Sequence, residues 1–129
     1  MDDRHRKEAG AAAEAVALNY LLSQGLRLIT RNYRCRAGEI DLVMLDGPAL
    51  VLIEVRYRAS ADFGGAAESV TYRKQRRIIT AARHLLMMRA DLHRYPARFD
   101  VIAVTPRMKQ GMQQGMNVEW IRAAFTADG

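Results

Sequence analysis

Apolar residues recur at helical spacing over residues 6–24, with Ala9, Ala13, Val16, Ala17, Tyr20 and Leu21 on one side. Gly25 follows where a helix C-cap residue belongs, so the first element is a helix that ends there. Residues 26–30 read as a short strand and 31–36 as a basic connector. Two branched, apolar runs, 40–45 and 50–55, flank Asp46, Gly47 and Pro48, which predicts a hairpin. A Gly-containing loop at 63–66 precedes a second helix from Tyr72 to about Arg89. At 100° per residue its Ile78, Ile79, Ala82, Leu85 and Leu86 share one side, opposite Arg73, Arg76, Arg77, Arg83 and His84. Residues 98–104 form a further strand closed by Pro106, 109–115 read as a mobile loop, and 118–121 as a last short strand entering a helical turn. The order α-β-β-β-α-β with a small end piece predicts an α/β fold, a mixed sheet with helices packed on it. No repeat or linker composition interrupts the chain, and its 129 residues suit one domain, 1–129.

Register gives this pattern chemistry. A turn made of Asp46 and Gly47 places Asp41 opposite Leu52, with Glu54 one step along the same face. A four-residue turn places Asp41 directly opposite Glu54. Either even-length turn puts Asp41, Glu54 and Arg56 on one face, with Val43, Leu45, Leu50 and Leu52 beside them, and leaves Ile40, Leu42, Val51, Ile53 and Val55 on the other. Carboxylates about 5–8 Å apart repel unless a cation intervenes, and a hard divalent ion with oxygen ligands answers that problem. The bland alternative is pairing with Arg36, Arg56 or Arg58. Glu14 adds weight: it is the only charged residue in 11–22 and borders the apolar stripe of the first helix. A carboxylate aimed toward a core needs a partner, although a glutamate there can also reach solvent.

Half the residues are hydrophobic and 26% are charged, a balance that excludes global disorder. The single cysteine, Cys35, excludes an internal disulfide. The charged N-terminus has no apolar signal core, and no run approaches the roughly 20 apolar residues of a membrane span. The expectation is therefore a cytoplasmic protein with no membrane partner. The net charge of +6 favours an acidic partner. Residues 56–94 hold nine Arg or Lys against three Asp or Glu, and the remaining charges cancel. All of the net charge thus comes from one segment, as a phosphate-gripping surface requires, though a solvated helix face gives the same pattern. Gln75 falls on the apolar side near the start of the second helix, either toward the carboxylates or satisfying backbone groups. Lys74 lies at the flank of the basic face.

The segments AEAVALNYLLSQG, RNYRCRAGEIDLVM, LVLIEVRYR, FGGAAESVTYRKQRR and RFDVIAV span nearly the whole chain in order. With GEIDLV and IEVRYR as the specific parts, the sequence resembles the YraN-type (UPF0102) bacterial family. Members of that family resemble Holliday-junction resolvases of the restriction-endonuclease-like, PD-(D/E)XK superfamily. The resemblance implies an α-β-β-β-α-β core with a divalent-metal site. Glu14 matches the acid of the first helix, Asp41 the first strand carboxylate, Glu54 the second, and Arg56 the position where nucleases usually have lysine. Ile40 stands where some have proline. Arginine stays protonated and cannot be a general base, so Lys74 or Gln75 would supply part of that role.

The expectation is a Mg²⁺- or Mn²⁺-dependent endonuclease acting on structured or branched DNA. Glu14, Asp41 and Glu54 would hold the ion, Arg56 would contact the scissile phosphate, and Arg31, Arg34, Arg36, Arg58, Arg73, Lys74, Arg76, Arg77 and Arg83 would grip the backbone. A homodimer follows by analogy with resolvases. The alternatives are a nucleic-acid-binding module without catalysis and an interaction protein that keeps the fold as a scaffold.

Overall fold

The computed structural model describes residues 3–59 and 65–127. Its elements are α1 (Asp3–Ser23), β1 (Arg27–Cys35), β2 (Gly38–Asp46), β3 (Ala49–Tyr57), α2 (Tyr72–Met88), β4 (Ala97–Lys109) and β5 (Met112–Phe125), with short 3-10 turns at Ala67–Ser69 and Ala90–Leu92. The strands form one sheet in chain order. β3 and β4 are parallel, joined across the sheet by α2, and the other neighbours are antiparallel. This is the α-β-β-β-α-β order expected from the sequence, completed by a full fifth strand.

Local chemistry fixes the helix ends. Gly25 takes φ +95°, which lets Leu26 N–H donate to the Leu21 carbonyl and Gly25 N–H to that of Leu22. These are the two bonds of a Schellman cap, and buried Leu26 supplies its apolar contact. At the start of α2, Thr71 Oγ1 accepts from Lys74 N–H at 3.2 Å, an N-cap that holds Lys74 in the first turn.

The helices cover opposite faces and different strands. α1 lies on β3, β4 and β5, whereas α2 lies on β1 and β2. Leu42, Met44, Val51 and Ile53 therefore pack with Ala13, Ala17 and Leu21 of α1. Val43, Leu45, Leu50 and Leu52 pack with Ile78, Ile79, Ala82 and Leu85 of α2. Both sheet faces are covered, as the two apolar sets required. Ile40 departs from the expected set: it packs on the α2 side with Val43. The strand changes face between Ile40 and Leu42, opposite Asn32, whose φ is +53°. Asparagine tolerates that left-handed backbone better than most residues.

The hairpin register pairs Leu45 with Leu50 and Asp46 with Ala49, so Gly47 and Pro48 form the turn. Gly47 at φ +55° followed by proline has the signs of a II′ hairpin turn. Continued along the strands, this register sets Asp41 opposite Glu54.

Three segments differ from the sequence expectation. The basic connector 31–36 is mostly strand, since β1 runs unbroken to Cys35 against β2. The supposed mobile loop 109–115 is the tip of a β4–β5 ribbon, turning at Gln110 and Gly111. The final helical turn is absent among the described residues, because β5 continues to Phe125. The loop expected at 63–66 lies partly outside the described residues.

Gly38 sets how closely α2 approaches the sheet. A Cβ there would lie 2.1 Å from the backbone oxygen of Arg77. Gly38→Ala is therefore expected to push α2 off β2 and cost about 1–3 kcal/mol, read as a lower urea midpoint. A midpoint equal to that of the parent protein would show that the helix accommodates the methyl group.

Candidate functional site

The candidate site lies where β2 and β3 part. Their ladder is recorded from the turn as far as Leu42 and Ile53. Beyond it, Asp41 Oδ2 accepts the Val55 backbone N–H at 2.8 Å. A side-chain carboxylate thus takes a strand donor, which holds Asp41 in the gap between the strands. Glu54, one residue before Val55, is only 2% exposed and hydrogen-bonds to Asp41.

The two helices bring one charged residue each from opposite faces. Glu14 of α1 lies near enough to Asp41 for their charges to repel, and it is steadied by Arg31 and by a hydrogen bond with Asn32. Lys74 of α2 brings Nζ to 2.9 Å from Glu54 Oε2. Arg56 is half-buried two residues beyond Glu54.

Electrostatics here are unfavourable for negative charge. Burial is the main force raising the Glu54 carboxyl, with the Asp41 charge and hydrogen bond adding to it. Lys74 opposes them, and the outcome is a pKa pushed up to about 8. Burial also raises Glu14, and Asp41 is the second cause. Among the described residues, the buried side-chain polar atoms without a hydrogen-bond partner are Glu14 Oε1, Glu54 Oε2 and Arg56 Nε. Glu54 Oε2 nevertheless has the Lys74 ammonium at 2.9 Å, so its one partner is a cation. Glu14 and Glu54 both border Asp41, and Arg56 lies two residues beyond Glu54 on β3. Buried polar atoms are normally satisfied, so their coincidence marks a site with room for additional partners.

The sequence-derived set separates accordingly. Asp41 and Glu54 meet directly, Glu14 stands beside Asp41, and Arg56 follows on the Glu54 side. The expected tight trio of carboxylates becomes a pair with a neighbour: among the described residues no three Asp, Glu, His or Cys side chains gather closely enough to hold a metal ion. Gln75 is a correction. Its Nε2 donates to the Val70 carbonyl at 3.1 Å, so it braces the turn before α2 instead of serving the carboxylates. Lys74 proves central instead of peripheral, because the first turn of α2 overlies Glu54.

The basic residues are not one patch. Arg73, Lys74 and Arg77 line a cavity of about 170 Å³ with Glu39, Thr71 and Ile78. Arg34 ion-pairs with Glu39 at 3.2 Å, and Arg31 is drawn to Glu14. Arg36 is exposed at the β1–β2 turn, Arg76 is half-buried, and Arg58 N–H bonds the Val104 carbonyl at 2.9 Å. Arg83 lies away from the carboxylates, at a separate apolar cavity lined by Leu50, Leu86 and Phe99. Sequence reasoning missed Asn32 and Glu39. Asparagine's tolerance of positive φ was a usable signal for the first, and nothing local marked the second.

Fold and site together define a mixed α/β protein whose α-β-β-β-α-β core is compatible with the nuclease-like class, with an acidic pair at the splayed strand end. The chain belongs to the family described as Uncharacterised protein family UPF0102, whose model matches residues 13–104. It is 49% identical to a UPF0102 protein of Pseudomonas syringae pv. tomato over 93% of this chain and 94% of that one. It is 50% identical to one from Saccharophagus degradans, covering 92% and 93%. A Pseudomonas putida relative is 49% identical over 91% of each chain. No helix among the described residues is long and apolar enough to cross a membrane.

Proposed function

We propose that the protein is a metal-dependent endonuclease that hydrolyses phosphodiester bonds of structured or branched DNA. One observation carries the reading: a buried carboxylate pair, Asp41 and Glu54, is met by a single cation, Lys74, while Glu14 Oε1 beside Asp41 and Arg56 Nε two residues along β3 have no hydrogen-bond partner. A cation and a phosphate are the two species that would complete them. The hard oxygens of Asp41 and Glu54 fit Mg²⁺ or Mn²⁺, with Glu14 alongside.

A divalent ion bound there supplies an activated water and stabilises developing charge. The chain's own groups do the rest. The Val55 N–H fixes Asp41, and the Asp41 contact fixes Glu54. Arg56 offers its guanidinium fork to phosphate oxygens. Lys74 supplies a mobile ammonium beside Glu54, the function that a strand lysine has in the nuclease pattern. Arg73 and Arg77 extend the positive surface beyond it, and a homodimer would present two such sites to two strands.

The second reading, a nucleic-acid-binding module without catalysis, is favoured by the same Lys74, which already neutralises part of the acidic pair. Incubation of branched, duplex and single-stranded DNA with Mn²⁺ separates the two. Cleavage that falls by about 10²-fold or more in Asp41→Ala and Glu54→Ala supports the enzyme. Salt-sensitive binding without cleavage under any metal supports the module. Cleavage that survives both substitutions overturns the site.

A further inference from the structure

We infer that the two-stranded ribbon of residues 105–117 is an arm that enters a groove of duplex nucleic acid while the adjoining backbone lies at the Asp41–Glu54 end of the sheet. The inference rests on the nuclease reading of that site. It adds the form of the substrate, a duplex with an open groove, and names the part of the chain that grips it.

The ribbon projects. Val104 is the last β4 residue paired with β3, opposite Tyr57. From Thr105 to Lys109, β4 pairs with β5 alone. Five residues at about 3.3 Å each give a projection of about 17 Å. A major groove about 12 Å wide admits a two-stranded ribbon.

The ribbon is also bare. Every residue from 107 to 115 is exposed, and Met108 and Met112 are 60% and 67% exposed. A hairpin standing alone in water is marginal, and methionines held in solvent contribute nothing to the core. Its shape is nevertheless defined. Gln110 and Gly111 both have positive φ, at 53° and 76°, as a tight I′ turn requires. The register shifts between Pro106 and Met108, with Gly115 at φ +83° opposite the shift. Across it Arg107 Nε donates to Asn117 Oδ1 at 3.1 Å. Such a bulge increases twist, and a twisted ribbon follows a curved groove.

Composition selects the partner. From 105 to 118 there are two cations, Arg107 and Lys109, and no carboxylate. Gln110, Gln113 and Gln114 are side-chain amides able to bond base edges. An apolar protein surface would match the methionines but leave these amides and cations without partners. The ribbon's root also has the right place. Parallel register sets Glu54 opposite Val101 and Arg56 opposite Ala103, so the ribbon begins about 13 Å beyond the acidic pair along the strands.

The test is binding of the full-length chain to a fluorescent duplex by anisotropy, in EDTA, so that neither metal nor cleavage contributes. The double variant Arg107→Glu, Lys109→Glu is expected to bind duplex about tenfold more weakly. Its log affinity should also fall less steeply with log salt, by about 0.9 per lost phosphate contact. Met108→Ser with Met112→Ser should weaken binding while leaving that slope unchanged. All four residues are exposed, the bond from Arg107 to Asn117 is the one side-chain contact the first variant removes, and circular dichroism verifies that the fold is kept. Duplex binding indistinguishable from the parent in both variants overturns the arm, and if Asp41→Ala still abolishes cleavage, the arm alone is wrong. Ribbon-dependent binding to phosphatidylglycerol vesicles in preference to duplex overturns it as well. A parent protein that binds no duplex overturns it too, and the cleavage assay then judges the site separately.

Discussion

Glu54→Gln is expected to make the metal-free protein more stable above about pH 8 and to abolish the Mn²⁺ binding proposed for the site. The sign follows from the raised pKa. Below the ordinary value of 4.5, Glu54 is protonated whether the chain is folded or unfolded. Between 4.5 and about 8, the unfolded chain has lost that proton and the folded one keeps it. Unfolding then releases a proton, so stability falls as pH rises across this window. Above about 8 both states are ionised and the penalty is complete. Each pKa unit corresponds to about 1.4 kcal/mol, which puts the whole penalty on the order of several kcal/mol.

Glutamine keeps the shape, donates an amide hydrogen to Asp41 as the protonated acid does, and never ionises. The variant should therefore lose the decline that the parent shows between pH 4.5 and about 8. Mn²⁺ should restore the parent at high pH and leave the variant unmoved. Scanning calorimetry across pH, with and without the ion, reads all of this. A variant no more stable than the parent at high pH would mean that Lys74 fully compensates the buried charge.

Asp100→Ala is expected to be among the most damaging single changes, costing about 3–5 kcal/mol. Asp100 is wholly buried on the face that α1 covers. It accepts from Arg98 Nε at 3.1 and 3.2 Å, from Trp120 Nε1 at 2.9 Å and from the Ala123 N–H at 2.9 Å. Arg98 Nη2 reaches on to Asp46 at 2.7 Å beside the hairpin turn. One carboxylate thus ties β4 to the turn and to an irregular part of β5, where Ala123 has φ +51°. Alanine would leave an indole N–H and a backbone N–H without their acceptor and the half-buried Arg98 with Asp46 alone, and leaving such donors unmade is the expensive outcome. Against a total stability of about 5–15 kcal/mol, much of the margin disappears. Trp120 is the only tryptophan and reports urea unfolding from the affected place. A midpoint shift no larger than a surface substitution produces would mean that another group replaces the carboxylate.

The parts legible in the sequence were those whose burial is periodic. α1, the β2–β3 hairpin and α2 each bury one or two faces, so the chain writes them as repeating apolar positions. The end of β1 reads as a connector because an edge strand carrying Arg31 and Arg34, with Arg36 just beyond it, has no apolar alternation. Of β5 only 118–121 is marked, because residues 112–117, two methionines among polar residues and glycine, are almost wholly exposed and show no buried alternation. At the site, register alone was enough to bring Asp41 and Glu54 together. Lys74 is a candidate from the resemblance, but its contact with Glu54 is not legible in the pattern, since it depends on how closely Gly38 lets α2 settle on the sheet. For Gln75, its neighbour, the pattern leaves open a carboxylate or a backbone partner, and the structure shows the backbone one, at Val70.

The Arg98 bridge also gives the molecule a direction. It fastens the pole of the sheet at Gly47 and Pro48, where Phe99 and Phe125 stack with ring centroids 5.0 Å apart. The opposite pole has the divided strands, the charged groups left wanting and the bare arm. Change at the fastened pole should touch durability and spare chemistry, and change at the open pole should do the reverse.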